Sequence, residues 1–270
     1  MPRAAAEPGE RFTVVGCGTV VPEADRSCSA YLLESGPVRV LLDCGPGTLR
    51  SLARIGADWS AITHLWISHF HTDHIGDVPA LLFSLKWGML PETREAPLEI
   101  WGPRGLRERL EAFVAATGQH VLDPGFPVRV REIDPGVVLP FAGGLELRTL
   151  KTPHTDRSLA VRLEGAGVSV TYTGDSGPAT PLGEFASGTG LFVTECSLPD
   201  DLVGDNHLSP SSVAAFAAVA EPRRLLLTHV YPQLRTRADV CRLVREAGYA
   251  GPIDLAAEGW TLHGGSLRPR

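Results

Sequence analysis

Residues 67–77, ISHFHTDHIGD, hold three histidines and two aspartates in eleven positions. Imidazole nitrogen and carboxylate oxygen are donors that zinc and similar divalent ions take, and catalytic sites leave a coordination position open for water. His69, His71, Asp73 and His74 follow an H-x-H-x-D-H pattern. In an extended loop alternate residues face the same way, so His69, His71 and Asp73 are expected to line one face. His74 must then point elsewhere, toward a second ion. A solvated polar loop is the bland alternative, but such loops seldom concentrate imidazole in this way. Asp77 is expected to serve the turn or to support the ligands.

One cluster cannot close two coordination shells, so further donors must come from the rest of the chain, which has nine histidines in all. His154 lies just past the apolar run LELRTLK, and His229 closes RRLLLTH. Asp175 sits in the turn that follows VSVTYTG. Strands that each deliver one donor at the same end imply a shared site there. His64, His120 and His263 have no motif around them and are expected to be structural, as are Trp87 and Met89.

The elements that must position these donors are readable from periodicity. Runs such as RFTVVGC, SAYLLES, VRVLLDC, ITHLWIS, PLEIWG, VRVREI, LAVRLEG and LFVTEC predict strands separated by Gly, Pro and Ser turns. Helices are expected over residues 45–56, over 103–118 with Leu106, Leu110, Phe113 and Val114 on one face, and after Ser209 as N-cap with Pro210. A further helix is expected over residues 236–248, capped by Thr236. Many strands punctuated by a few helices predict packed sheets with helices on their outer faces.

Composition narrows the class. The chain has 270 residues, 43% of them apolar, and a net charge of −6, which argues against an extended basic surface for nucleic acid. No apolar run is long enough to span a membrane, and the opening stretch lacks the apolar core of a secretory signal. Five scattered cysteines without CxxC spacing predict reduced thiols and a cytoplasmic protein. Residues 1–10 are expected to be a disordered tail ahead of one domain over 11–270.

The ordered set His69, His71, Asp73, His74, His154, Asp175 and His229 resembles the metallo-β-lactamase fold superfamily, and within it the ribonuclease Z-like branch. VVGCGTVVPEADRSCSAYLL, LLDCGPGTLRSL, WGPRGLRERL, TGDS and TECSLPDDLVGDNHLSPSSVAAFA carry the likeness across residues 11–265. It implies an α/β fold, the αββα four-layer sandwich of two mixed sheets with helices outside. It also implies two divalent ions: His69, His71 and His154 on one, Asp73, His74 and His229 on the other, and Asp175 bridging them. Zinc is the expected metal, although such donors accept manganese or iron. Asp43 resembles the partner of a metal-bound histidine, Ser176 is expected in a supporting or turn role, and a homodimer is implied.

Two ions about 3.5–4 Å apart can activate a bridging water and stabilise attacking and leaving oxygens together. His207, in NHLSP, resembles the residue that protonates the leaving oxygen, and Glu195, in VTEC, the acid that orients it. Asp73, His207 and Glu195 are therefore the residues expected in catalysis, with a helix cap as the bland role for His207. The expected function is a phosphodiesterase acting on a small phosphodiester or cyclic nucleotide. A carboxylic ester, lactone or thioester hydrolase is the alternative, and a metal-binding protein without catalysis is the third reading. Ribonuclease Z proper carries a long arm between the residues matching His154 and Asp175. That interval is short here, which makes transfer RNA processing the lesser expectation.

Overall fold

The computed structural model describes residues 9–118, 121–178 and 180–270, so His120 and positions 1–8 of the expected tail lie outside the described residues. Glu10, also placed in that tail, is already tied down, its carbonyl accepting from Gly264 N–H at 2.8 Å.

Strands β1 (Arg11–Gly16), β2 (Ala30–Ser35), β3 (Val38–Leu42), β4 (His64–Trp66), β5 (Leu98–Pro103), β6 (Val128–Ile133) and β14 (Thr261–His263) form one seven-stranded sheet in the order β14-β1-β2-β3-β4-β5-β6. The second sheet takes β7 (Val138–Pro140), β8 (Glu146–Lys151), β9 (Leu159–Gly165), β10 (Val168–Tyr172), β11 (Leu191–Glu195), β12 (Arg224–Thr228) and β13 (Ile253–Leu255) in the order β13-β12-β11-β10-β9-β8-β7. Each is mixed: β3 to β6 and β10 to β13 run parallel, whereas their other pairs are antiparallel.

Successive side chains of a strand point to opposite faces, which divides the buried residues among separate layers. Phe12, Tyr31, Leu33, Val40, Leu42 and Trp66 of the first sheet meet Val161, Leu163, Val170, Tyr172, Val193 and Leu226 of the second. The residues between them turn outward. Leu32, Leu41, Leu65 and Ile100 pack with α1 (Thr48–Arg54), α3 (Val78–Trp87) and α4 (Leu106–Thr117). Ala160, Phe192, Leu225 and Leu227 pack with α5 (Thr180–Phe185), α6 (Pro210–Ala220) and α8 (Val240–Glu246). The result is the four-layer sandwich. Among the described residues no helix is long and apolar enough to cross a membrane.

Local expectations differ in several places. Residues Thr72–Ile75 form a helical turn, α2, so the cluster is not extended throughout. His69 and His71 do alternate, but Asp73 and His74 are successive helical positions about 100° apart. Helix α3 was not expected, although Asp77 before it, Pro79 in its first turn and Gly88 after it are its punctuation. The cap of α8 is Asp239, whose carboxylate accepts from Arg242 N–H at 3.1 Å, while the Thr236 hydroxyl donates to the Pro232 carbonyl. Trp87 is 50% exposed and not packed in the core.

Candidate metal centre

The parallel strands deliver their C-terminal ends to one edge of the sandwich, where open α/β sheets place their ligands. Asp43 follows β3, the segment from Ser68 to His74 follows β4, His154 follows β8, Asp175 follows β10, and His229 follows β12. The two edges are stitched together: Leu159 N–H donates to the Ser68 carbonyl at 3.0 Å, and Tyr172 OH donates to Asp43 Oδ2 at 2.6 Å. Gly174, at φ 57°, permits this closeness, since a Cβ there would meet Ser68 Cβ at 2.6 Å. Asp43 and His229 also adopt the left-handed region, at φ 58° and 51°, a conformation that non-glycine residues hold only where the surroundings enforce it.

Besides a set of Asp175, His207 and His229, two donor groups result, one of His69, His71, His154 and Asp175, the other of Asp73, His74 and His229. Asp175 reaches both. Its carboxylate lies 3.2 Å from His74 Nε2, 3.6 Å from His154 Nε2 and His229 Nε2, and 3.9 Å from His69 Nε2. His154 Nε2 approaches His71 Nδ1 at 3.0 Å, and His229 Nε2 approaches Asp73 Oδ2 at 3.2 Å. The His74–Asp175 contact lacks hydrogen-bond alignment, so His69 Nε2, His74 Nε2 and Asp175 Oδ1 are buried without a hydrogen-bond partner among the described residues. Leaving such atoms unmatched costs about 1–3 kcal/mol each, which calls for an explanation. Divalent cations fit these nitrogen and oxygen donors.

The far nitrogen of four imidazoles is held in place. Asp43 accepts from His74 Nδ1–H, Ser68 N–H and Ser68 Oγ–H at 2.7 Å each, besides Tyr172 OH. With its proton committed to Asp43, Ser68 Oγ accepts from His69 Nδ1–H at 3.0 Å. His154 Nδ1–H donates to the Asn206 carbonyl at 2.7 Å. On the other side Ser197 Oγ donates to Glu195 and so accepts from His229 Nδ1–H at 3.1 Å. Each arrangement fixes the tautomer that turns Nε2 inward. Replacing Asp43 with Ala strips four donors of their acceptor and breaks a buried pair with His74. The expected loss is about 3–5 kcal/mol of stability, read as a lower urea midpoint. An unchanged midpoint would mean that these donors find other partners.

Glu195 is the second hub. It accepts from His207 Nδ1 at 3.0 and 3.1 Å, Ser176 N–H at 2.6 Å and Leu208 N–H at 3.2 Å. Ser176 therefore acts through its backbone, its hydroxyl donating to the Gly177 carbonyl. His207 is not the cap of α6; Ser209 is, in a capping box with Ser212. Asp77 accepts from Gly47 N–H at 3.0 Å and so pins the start of α1 against the cluster. His64 stays a strand residue, its ring 4.7 Å from that of Phe141.

Burial, reinforced by His74, drives His69 well below the ordinary histidine range, and burial with His154 lowers His71. Both are neutral, with a lone pair ready for a cation. Burial opposes ionisation of Asp175, but His229 and His74 outweigh it and hold the carboxyl well below the usual range. Burial likewise works against Asp73, whose bond to His229 and proximity to His74 lower it. His74 is the opposite case. Burial works to lower it, yet Asp175 and Asp43 hold it well above the ordinary value, so a cation taking Nε2 displaces a proton.

His71, Asp73, His154, Asp175 and His207 face a cavity of about 350 Å³. Tyr231, which sequence reasoning missed, shares its wall, with its ring 6.0 Å from His207. Burial and the charges of Asp175 and Asp73 push its phenol up to about 12, leaving a neutral donor. Ser68, Tyr172 and Ser197 were missed for the same reason as Tyr231: hydroxyl groups without unusual spacing carry no signal.

A family model described as the Beta-lactamase superfamily domain matches residues 38–230. The chain belongs to that superfamily. Ribonuclease Z of Mycobacterium sp. (strain KMS) is 31% identical over 244 residues, 82% of this chain and 84% of that protein. Ribonuclease Z of Mycobacterium marinum is 28% identical over 266 residues, 90% of this chain and 95% of the relative. The metallo-β-lactamase fold protein YhfI of Bacillus subtilis superposes with a TM-score of 0.79 at 26% identity, covering 95% of this chain and all of that one. Within the superfamily the chain thus resembles the ribonuclease Z branch, and it is a metal-dependent hydrolase.

Proposed function

We propose that this superfamily member is a phosphodiesterase that uses two divalent ions, zinc first among them, and His207 as general acid. The supporting observation is the Glu195–His207 pair, in which buried Glu195 holds His207 on the wall of the cavity that the candidate ligands share. Displacement at phosphorus expels a poor alkoxide and gains from a proton donor. The two donor groups that share Asp175 would hold the ions. Bound there, divalent ions contribute positive charge against phosphoryl oxygens and make water a stronger acid. The chain's own residues supply orientation and protons. Glu195 engages His207 Nδ1–H and leaves Nε2–H for the leaving oxygen, and the Tyr231 phenol stands beside it as a further donor.

Burial works to lower His207, but the Glu195 hydrogen bond and charge, with Asp175 and Asp73, hold it above the ordinary histidine value. The imidazolium therefore persists to higher pH, and kcat is expected to fall as pH rises through this titration. Exchanging Glu195 for Gln removes the raising carboxylate, so the fall should begin at lower pH. A pH–kcat profile whose alkaline limb does not move would take Glu195 out of this role.

A second reading, an RNA phosphodiester, draws on the relatives' name. The interval between His154 and Asp175 holds β9, β10 and their connections, without room for a long arm, which keeps RNA the second reading. Zinc- or manganese-loaded protein should be assayed in parallel on bis-p-nitrophenyl phosphate, cyclic AMP, a short RNA, a lactone and a thioester. Turnover confined to the last two would overturn the proposal in favour of carbonyl ester hydrolysis.

A further inference from the structure

We infer that a cavity beside the metal centre is a nucleotide subsite, which seats a base on Phe70 and Phe113 and its further phosphate against Arg109 and Arg157. This inference rests on the phosphodiesterase reading and names its substrate class. The cavity, of about 610 Å³, shares His71 and Thr72 with the cavity over the candidate ligands. Its volume lies within the range of about 300–1,000 Å³ usual for ligand sites. A phosphodiester carries two esterified groups, and one of them must extend along this shared wall or away from it.

The lining comes from the same segments that carry the ligands. Phe70 stands between His69 and His71 and alternates to the other side, while Arg157 lies three positions beyond His154. The opposite wall is α4, where Arg109 and Phe113 are one turn apart on one face. The Arg109 guanidinium lies over the Phe70 ring at 5.6 Å, and Arg157 Nη1–H donates to the Arg104 carbonyl at 2.7 Å. Neither guanidinium has a carboxylate partner among the described residues. Asp156 is the single carboxylate among the described lining residues against two guanidinium groups, so positive charge remains in excess. Aromatic faces accept any base by stacking, and guanidinium groups match phosphate oxygens in a bidentate fork. Both features together, joined to a phosphodiester centre, select a nucleotide over a simple anion or an apolar group.

The test is calorimetric titration of the metal-loaded protein with adenosine 3′,5′-bisphosphate, with adenosine and inorganic phosphate as reference ligands. The bisphosphate should bind more tightly than either, and Phe113→Ala should weaken it roughly tenfold or more, as loss of a base stack does. The exposed pair Arg109→Gln/Arg157→Gln should weaken it at least comparably, with an unchanged melting temperature to confirm the fold. Bisphosphate affinity no better than that of phosphate, or unaltered in both variants, overturns the subsite. Bisphosphate binding that the variants abolish, in a protein that turns over no phosphodiester, would support the subsite and overturn the phosphodiesterase reading instead.

Discussion

Replacing His207 with Ala is expected to lower kcat on an alkyl phosphodiester by about 10²–10⁴-fold, the contribution of a positioned general acid. Metal content should remain at the wild-type level. The loss should shrink on a p-nitrophenyl ester, whose leaving group departs without a proton. That dependence separates proton donation from a merely structural role, because misfolding or misplacement would slow both substrates alike. The competing role is concrete: His207 also lies within one donor group with Asp175 and His229. If metal content measured by mass spectrometry fell together with activity, His207 would be an ion ligand and the acid would have to be found elsewhere, with Tyr231 the nearest donor.

Exchange of Asp175 for Asn should be more damaging still. Its carboxylate lies within 3.2–3.9 Å of four inward-facing imidazole nitrogens drawn from both donor groups. Asn preserves the shape and removes the charge. Activity is expected to fall roughly a thousandfold or more, the several kcal/mol that metal charge contributes at the transition state. Metal stoichiometry should drop in parallel, because both groups lose their shared anion. A variant that keeps full metal content and near wild-type turnover would sink the bridging role.

Much of this candidate centre is legible in the sequence. Donor identity is local: H-x-H-x-D-H concentrates imidazole beyond what a polar loop needs, and His154, Asp175 and His229 each follow a run whose apolar pattern marks a buried strand. Strand ends gather because parallel strands in packed sheets share a direction, so the placement of these donors along the chain carried geometric information. The division of Val14 and Val15 between layers was likewise encoded in the two-residue period of a strand.

The supporting network was not legible. Tyr172 and Asp43 meet from 129 positions apart, and His229 and Asp73 from 156. No periodicity relates such residues, and a lone serine or tyrosine looks the same whether it orients a ligand or fills a turn. The helical turn at Asp73 and His74 also overrode the extended reading, since its neighbours Cys44 and Gly45 press against it, a Cβ at Gly45 meeting the Asp73 carbonyl at 2.0 Å. The sequence by itself determined which atoms could bind a cation and at which strand ends they stand. Only the tertiary structure decided which nitrogen of each imidazole turns inward, because that choice belongs to the acceptor that packing brings behind the ring.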